Sequence, residues 1–311
     1  MSPERVETEV DGRRLQVSNL DKVLYPDAGF TKGAMIEYYL RIAPVMLPHV
    51  TDRPLTLRRF PNGVNEKSFF EKHAPSHTPS WVRTMYVPTG EKAVAGRRRG
   101  KTDGVEYAVA CDRPTLIWAA NLAAIEFHVP LWHIGDNKVL PGPPDHLVFD
   151  LDPGPGTSIV ECCRVARWIA DHLTDAGLGT AIPKTSGSKG LQLYLGLPRG
   201  TGWERARHQA LELAQSIEKE HPELVVTKMG KDLRRGRVLI DWSQNHPAKT
   251  TVAAYSLRAR PEPTVSTPIT WDEVTACEEG GDPAVLRFLA TDVLDRVERH
   301  GDLMAALALP S

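Results

Sequence analysis

No run among the 311 residues reaches the ~18 apolar residues that a membrane-spanning helix needs, and Met1 to Glu7 lack the apolar core of a secretion signal. Cysteine is scarce. The four present, Cys111, Cys162, Cys163 and Cys277, show neither the paired spacing of a zinc site nor the even ladder of a disulfide scaffold. They read as thiols in a reducing compartment, so the expectation is a cytoplasmic protein with no zinc. An excess of one charge is also missing: 38 Lys and Arg stand against 39 Asp and Glu, which argues against a protein that coats nucleic acid by bulk charge. There is no internal repeat and no long low-complexity segment. What remains, 41% hydrophobic and 25% charged residues, suits a globular chain forming one large domain or two lobes.

The stretch that organises the rest is His146-Leu147-Val148-Phe149-Asp150-Leu151-Asp152, set between Pro141-Gly142-Pro143-Pro144 and Pro153-Gly154-Pro155-Gly156. An apolar run bounded by turn formers predicts a short buried strand. Alternation puts Asp150 and Asp152 on one face, roughly 7 Å apart, with Phe149 and Leu151 on the other. Carboxylates placed so repel and raise each other's pKa, and a divalent metal relieves this. A third acid, Asp241, ends a second apolar run, Val238-Leu239-Ile240. Three oxygen donors from two strands can hold one or two hard cations while substrate phosphates complete the shell, an arrangement suited to nucleotidyl transfer. Two solvated aspartates at a strand end are the bland alternative.

Taken in order, the chain predicts a hairpin over 6–17 turning at Asp11-Gly12, and a helix capped by Thr31 that Pro44 bends or ends early. A strand over 54–60 exits through Arg58 and Arg59. Phe69 and Phe70 follow near a turn; on a strand one would face the core and the other out, leaving at least one as a platform for a base. His128 sits inside a strand-like run, where a core role is the ordinary reading. After the Asp150 strand come a helix over 158–176, strands near 180–184 and 191–195, a helix over 203–221, and strands leading to Asp241. This β-α-β-β-α-β-β order resembles an RNA-recognition-motif-like palm. Thr250 to Arg260 predicts a further strand ending in guanidiniums. Basic clusters at Arg97–Lys101 and Lys228–Arg237 are loop charges considered singly, but the second lies just upstream of Asp241. The loop Ser186-Gly187-Ser188-Lys189-Gly190 lacks Walker spacing, though its glycines and Lys189 suit a phosphate.

Asp150-Leu151-Asp152, Ser186-Gly187-Ser188-Lys189-Gly190, Asp241-Trp242-Ser243-Gln244-Asn245 and Tyr255-Ser256-Leu257-Arg258 together resemble the motif set of the archaeo-eukaryotic primase superfamily. The likeness is closer to the polymerase domain of bacterial non-homologous end-joining ligase D, and runs from Asn19 to Glu273. It implies an α+β primase-polymerase catalytic domain with an RRM-like palm and a packed N-terminal α/β lobe. The single domain would span 1–311, with an N-terminal lobe to 140, a palm over 141–270 and a helical segment over 271–311. Asp150, Asp152 and Asp241 would be catalytic metal ligands for Mn²⁺ or Mg²⁺. Ser186, Lys189, Arg234 and Arg258 would grip the triphosphate, with His128 and Gln244 beside it and Phe69 and Phe70 stacking on a base. Asn19, Lys22 and Lys32 match a pocket for a DNA 5′-phosphate, and Arg58 and Arg59 a primer or template contact.

The activity so implied is template-directed addition of NTPs, ribonucleotides preferred and Mn²⁺ favoured, to primer 3′ ends at gaps, nicks or breaks in DNA repair. A nucleoid-associated bacterial protein, with a separate ligase or end-binding protein as companion, is the matching setting. Two departures stand out. Gln192 occupies a position where the family motif carries histidine, which predicts weaker NTP use that Gln192→His should improve. The length also leaves no room for ligase or nuclease domains, which predicts a stand-alone paralogue. The rival readings are a non-catalytic nucleic-acid-binding module and, through Lys101-Thr102-Asp103-Gly104, an adenylyltransferase of the ligase type.

Overall fold

The computed structural model describes residues 5–88, 104–134 and 140–308. The adenylation-like Lys101 and the cluster Arg97–Lys101 lie outside the described residues.

The Asp11-Gly12 turn, with both residues in the left-handed region, joins β1 (Arg5–Val10) to β2 (Arg13–Ser18). A short pair, β3 (Val23–Tyr25) and β4 (Phe30–Thr31), leads into α1 (Lys32–Val50), where the Thr31 hydroxyl accepts from Ala34 N at 3.1 Å. Contrary to expectation, α1 runs through Pro44 and Pro48. A proline in a helix costs ~3 kcal/mol, whereas each large apolar side chain buried contributes ~1.5–3. Met35, Tyr38, Tyr39, Ile42 and Met46 are all buried on one face, while Pro44 faces solvent.

Next come β5 (Thr56–Arg59), β6 (Phe69–Glu71), the pair β7 (Thr84–Pro88) and β8 (Gly104–Ala108), α2 (Arg113–Asn121) and β9 (Ala124–Val129). The palm follows as β10 (His146–Pro153), α3 (Ile159–Asp175), β11 (Ile182–Thr185), β12 (Leu191–Gly196), α4 (Trp203–Glu220), β13 (Val225–Val226) and β14 (Val238–Asp241). This is the β-α-β-β-α-β-β order read from the sequence. The expected strand over Thr250 to Arg260 shrinks to β15 (Thr251–Val252), because the chain then turns, with Tyr255 at positive φ, to place Arg258. Helices α5 (Trp271–Gly280) and α6 (Ala290–His300) close the chain.

Two sheets carry the site. The palm sheet has the order β11-β12-β10-β14-β13, antiparallel except for the parallel β13·β14 pair, and the second sheet runs β15-β9-β5-β6. Leu147, Phe149 and Leu151 pack with α3 and α4 in one core, while Val148 and Tyr194 on the opposite face join the core of α1, α2 and β9. The aspartates therefore share the face turned toward the second sheet. None of the described helices is long and apolar enough to cross a membrane.

Candidate active site

Strand register decides what meets. Lys184 pairs with Gln192, Gln192 with Asp150, and Asp150 with Asp241, so four side chains form one row across β11, β12, β10 and β14. Directly opposed residues have Cβ atoms on the order of 5 Å apart, which makes Asp150 the neighbour of Asp241, with Asp152 two residues along the same face. Burial first, then Asp152 and Asp241, push the Asp150 carboxyl up to about 7, while Gln192 and Lys184 pull the other way. Asp152 reaches solvent at the mouth of the crevice; partial desolvation still pushes it up, helped by Asp241 and opposed by Arg234 and Arg258.

Among the described residues no three carboxylate, imidazole or thiolate groups gather as an ion-binding cluster. Asp241 has its oxygens engaged: Oδ1 accepts from Ser243 N at 3.0 Å and from the Ser243 hydroxyl, and Oδ2 accepts from Gln244 Nε2 at 3.1 Å. The donor chemistry nonetheless fits a hard divalent cation, being three carboxylates on adjacent positions of paired strands with their repulsion only partly relieved.

Asp150 and Asp152 border a cavity of about 390 Å³, with the buried Asp241 paired behind Asp150. Its lining brings together Asp150, Asp152, His128, Ser186, Lys189, Arg234, Gln244 and Arg258 from six separate stretches of chain, and adds Gln192 and Arg260. The loop of Ser186 to Gly190 is held by its own serine, whose Oγ accepts from Ser188 N and Gly190 N at 3.2 and 3.1 Å. Glycine at 190 is required by packing: a Cβ there would lie 2.2 Å from the Leu151 carbonyl oxygen. On the other side, Gly154 lets the turn after β10 lie against Arg234, since a Cβ would sit 1.8 Å from the Arg234 carbonyl oxygen. The Nε atoms of Arg234 and Arg258 are both buried without a hydrogen-bond acceptor among the described residues. Both side chains line the cavity, and two guanidinium charges on one wall fit a polyanion.

Sequence reasoning passed over Glu126, which anchors the basic side. This acid is 1% exposed within β9. It receives His128 Nε2 at 2.9 Å, the Ala259 N–H at 3.1 Å and Arg58 Nη1 at 3.4 Å, and it lies 3.3 Å from Arg258 Nε. The last is an ion pair by distance without hydrogen-bond alignment. Burial would raise the Glu126 carboxyl, but His128, Arg258 and Ala259 hold it down at about 2. His128 goes below its ordinary value because burial outweighs the hydrogen bond and charge of Glu126. Arg258 Nη1 also donates to the Ser186 carbonyl at 2.6 Å, tying the second sheet to the palm loop. An acid inside an apolar strand was the available signal for Glu126. Lys184, another omission, is fully buried, and burial, then Arg258, lower its ammonium to about 7 against Asp150.

Phe69 and Phe70 do not line the cavity. Instead of one facing in and one out, both are exposed, at 45% and 58%, because β6 is a three-residue edge strand with neither face covered. Arg59 lies over Phe69 and Arg58 over Phe70, whose edge meets His128 at 5.5 Å. Arg59 also bonds both oxygens of Glu71 at 3.0 Å, so both arginines have acidic partners. Asn19 and Lys22 line a separate recess of about 590 Å³. Lys32 lies behind it, 4% exposed, donating to the Ser18 carbonyl at 2.6 Å and Asn121 Oδ1 at 2.7 Å; burial, then Lys22 and Arg59, lower it to about 8.

Residues 31–304 match the family described as LigD, primase-polymerase domain. The multifunctional non-homologous end joining protein LigD of Mycolicibacterium smegmatis is 43% identical over 294 residues, covering 94% of this chain and 36% of that protein. The bifunctional LigD of Bacillus subtilis is 30% identical over 290 residues, covering 93% and 43%. The chain thus spans well under half the length of these relatives. A solved structure, the polymerase domain from Mycobacterium tuberculosis ligase D in complex with DNA, superposes with a TM-score of 0.83 at 42% identity, covering 94% of this chain and 98% of that one.

Proposed function

The chain belongs to the LigD primase-polymerase domain family and is an enzyme domain of the polymerase type; from there we propose that it adds nucleotides to DNA primer ends, filling short gaps or break ends in non-homologous end joining. The observation that carries the reading is Asp150 and Asp152, backed by Asp241 on the paired strand, facing a cavity whose other walls are Lys189, Arg234 and Arg258. Acids on one side and cations on the other suit a triphosphate whose reacting phosphate must lie beside the carboxylates.

In this reading Asp150, Asp152 and Asp241 hold Mn²⁺ or Mg²⁺. When bound there, the metal offsets the repulsion of the three carboxylates, lowers the pKa of a primer 3′-hydroxyl and neutralises charge on the leaving pyrophosphate. Lys189, Arg234 and Arg258 take the non-reacting phosphate oxygens, with Ser186 and Gln244 as neutral hydrogen-bond partners and His128 beside them, its Nε2 held by Glu126. Phe69 and Phe70 present flat faces to bases beside Arg58 and Arg59. Asn19 and Lys22 receive a 5′-phosphate in their own recess, and Lys32 supports it from behind through Asn121 and Ser18. We also place here a single domain over 1–311, a preference for ribonucleotides and for Mn²⁺, a cytoplasmic, nucleoid-associated setting, and a ligase or end-binding companion.

The test is extension of a gapped duplex with Mn²⁺ and each labelled nucleotide in turn. Addition of the nucleotide complementary to the template is expected, with ribonucleotides at higher kcat/KM than deoxyribonucleotides. Failure to extend any primer, while binding DNA, would instead mark a non-catalytic module.

A further inference from the structure

Behind the acids lies a buried cation that the proposed chemistry does not use. Lys184 does not line the cavity, and its Nζ is surrounded by oxygen acceptors: Gln192 Oε1 at 2.7 Å, the Val252 carbonyl at 3.4 Å and the Ser266 hydroxyl. The Ser266 hydroxyl is itself committed as a donor to the Thr185 carbonyl at 3.0 Å, so it can only accept from Lys184. In its ammonium form, which the Asp150 carboxylate favours, Lys184 has three protons for these three oxygens and no lone pair with which to accept. That fixes the neighbouring amide. Gln192 must turn its oxygen to Lys184, and its NH₂ is left to donate to Asp150 Oδ1, at 3.1 Å. The Tyr194 hydroxyl, 3.4 Å from the same Gln192 oxygen, spends its one proton on Thr251 Oγ1 at 3.0 Å, so the orientation of the amide is set by Lys184.

We propose that Lys184 is a positioning residue for nucleotidyl transfer: it locks the Gln192 amide so that its NH₂ holds the Asp150 carboxylate in place beside Asp241 and Asp152. The proposal rests on the polymerase reading of the site and deepens it. A glutamine amide can flip at little cost when both its ends meet water, but a donor-only cation on one side and a carboxylate on the other remove that freedom. Gln192 is 4% exposed, so a flipped amide would set its oxygen against Asp150 and its NH₂ against Lys184, two buried mismatches at once. The pair also removes the gain expected for Gln192→His. An imidazolium at 192 would face the Lys184 ammonium directly, so histidine there brings no gain while Lys184 remains.

The test uses the full chain on gapped DNA, with kcat, KM for NTP, DNA affinity and melting temperature measured for Lys184→Met, Gln192→Glu and the double variant Lys184→Met/Gln192→Leu. Gln192→Glu keeps the shape and an oxygen for Lys184 but withdraws the donor from Asp150. The expected result is a fall in kcat of tenfold or more for Lys184→Met and for Gln192→Glu, with DNA affinity and KM for NTP within twofold of wild type. The double variant should lose no more than the worse single one, since both act through one contact. The proposal fails if Gln192→Glu keeps kcat within twofold, or if Lys184→Met lowers only the melting temperature, or if losses multiply in the double variant. Should Lys184→Met not fold, Gln192→Glu alone decides. An inactive wild-type chain would refute the polymerase reading itself, which keeps the two failures distinct.

Discussion

Glu126→Gln removes a charge from the middle of β9 while keeping the shape of the side chain. The carboxyl is held down from its ordinary 4.5 to about 2, which corresponds to about 3 kcal/mol of stabilisation. The substitution leaves the Arg58 and Arg258 guanidiniums without their buried anion and the His128 and Ala259 donors with a weaker acceptor, a situation that costs 3–5 kcal/mol in typical buried pairs. Part of the charge is exposed on the Arg58 side, so a loss of about 3 kcal/mol at pH 7 is the working value. A depressed carboxyl contributes its stability above its unfolded pKa and loses it as pH falls through its folded one. The gap between wild type and variant should thus be full at pH 7 and shrink steadily from about pH 4.5 toward pH 2. Urea denaturation at pH 7, 4 and 3 measures it. Because Glu126 also orients Arg258, KM for NTP should rise roughly tenfold, as expected for the loss of about 1.4 kcal/mol of binding. A gap under 1 kcal/mol at pH 7, or one that does not change down to pH 3, would refute the assignment of Glu126 as the anchor of the basic wall.

Gly190→Ala should cost on the order of 2–3 kcal/mol in a denaturant titration, because its Cβ would press on the Leu151 carbonyl between β10 and β12. Gly177→Ala, at φ +65 with open space around it, should cost on the order of 1 kcal/mol; equal costs would deny the packing role. Phe69→Ala and Phe70→Ala, both at exposed positions, should leave the melting temperature nearly unchanged but weaken primer-template or NTP binding by about 1–3 kcal/mol, and unchanged binding for both would exclude stacking. Lys22→Ala should remove about 1–3 kcal/mol of preference for gapped DNA carrying a 5′-phosphate, read by competition binding at low salt, with stability intact. If the preference survives in Lys22→Ala, the recess beside Asn19 is not the phosphate pocket.

Local chemistry made much of this fold legible. The Asp11-Gly12 turn and the Thr31 cap announce their elements directly, and alternation around Asp150 sorts helix-facing from cleft-facing residues. What escaped depends on tertiary context. Pro44 reads as a helix stop until the buried face of α1 is weighed against it, and Thr250 to Arg260 reads as one strand although its role is to swing Arg258 back over the palm loop. The exposure of both Phe69 and Phe70 follows from the edge position of β6, which pairing alone reveals. Register matters most. Nothing local aligns Lys184, Gln192, Asp150 and Asp241 in one row, so the sequence offered Gln192 as an isolated departure when its partner stood eight residues upstream.

The central claim is that Asp150, Asp152 and Asp241 form one reaction centre. Its most direct measurement is single-turnover incorporation of one complementary nucleotide into gapped DNA with Mn²⁺, by wild type and by Asp150→Ala, Asp152→Ala and Asp241→Ala, with DNA affinity measured in parallel. Each variant is expected to lose about three orders of magnitude or more in rate while binding DNA as wild type does. Incorporation within tenfold of wild type by any of the three, at unchanged DNA affinity, would contradict the claim.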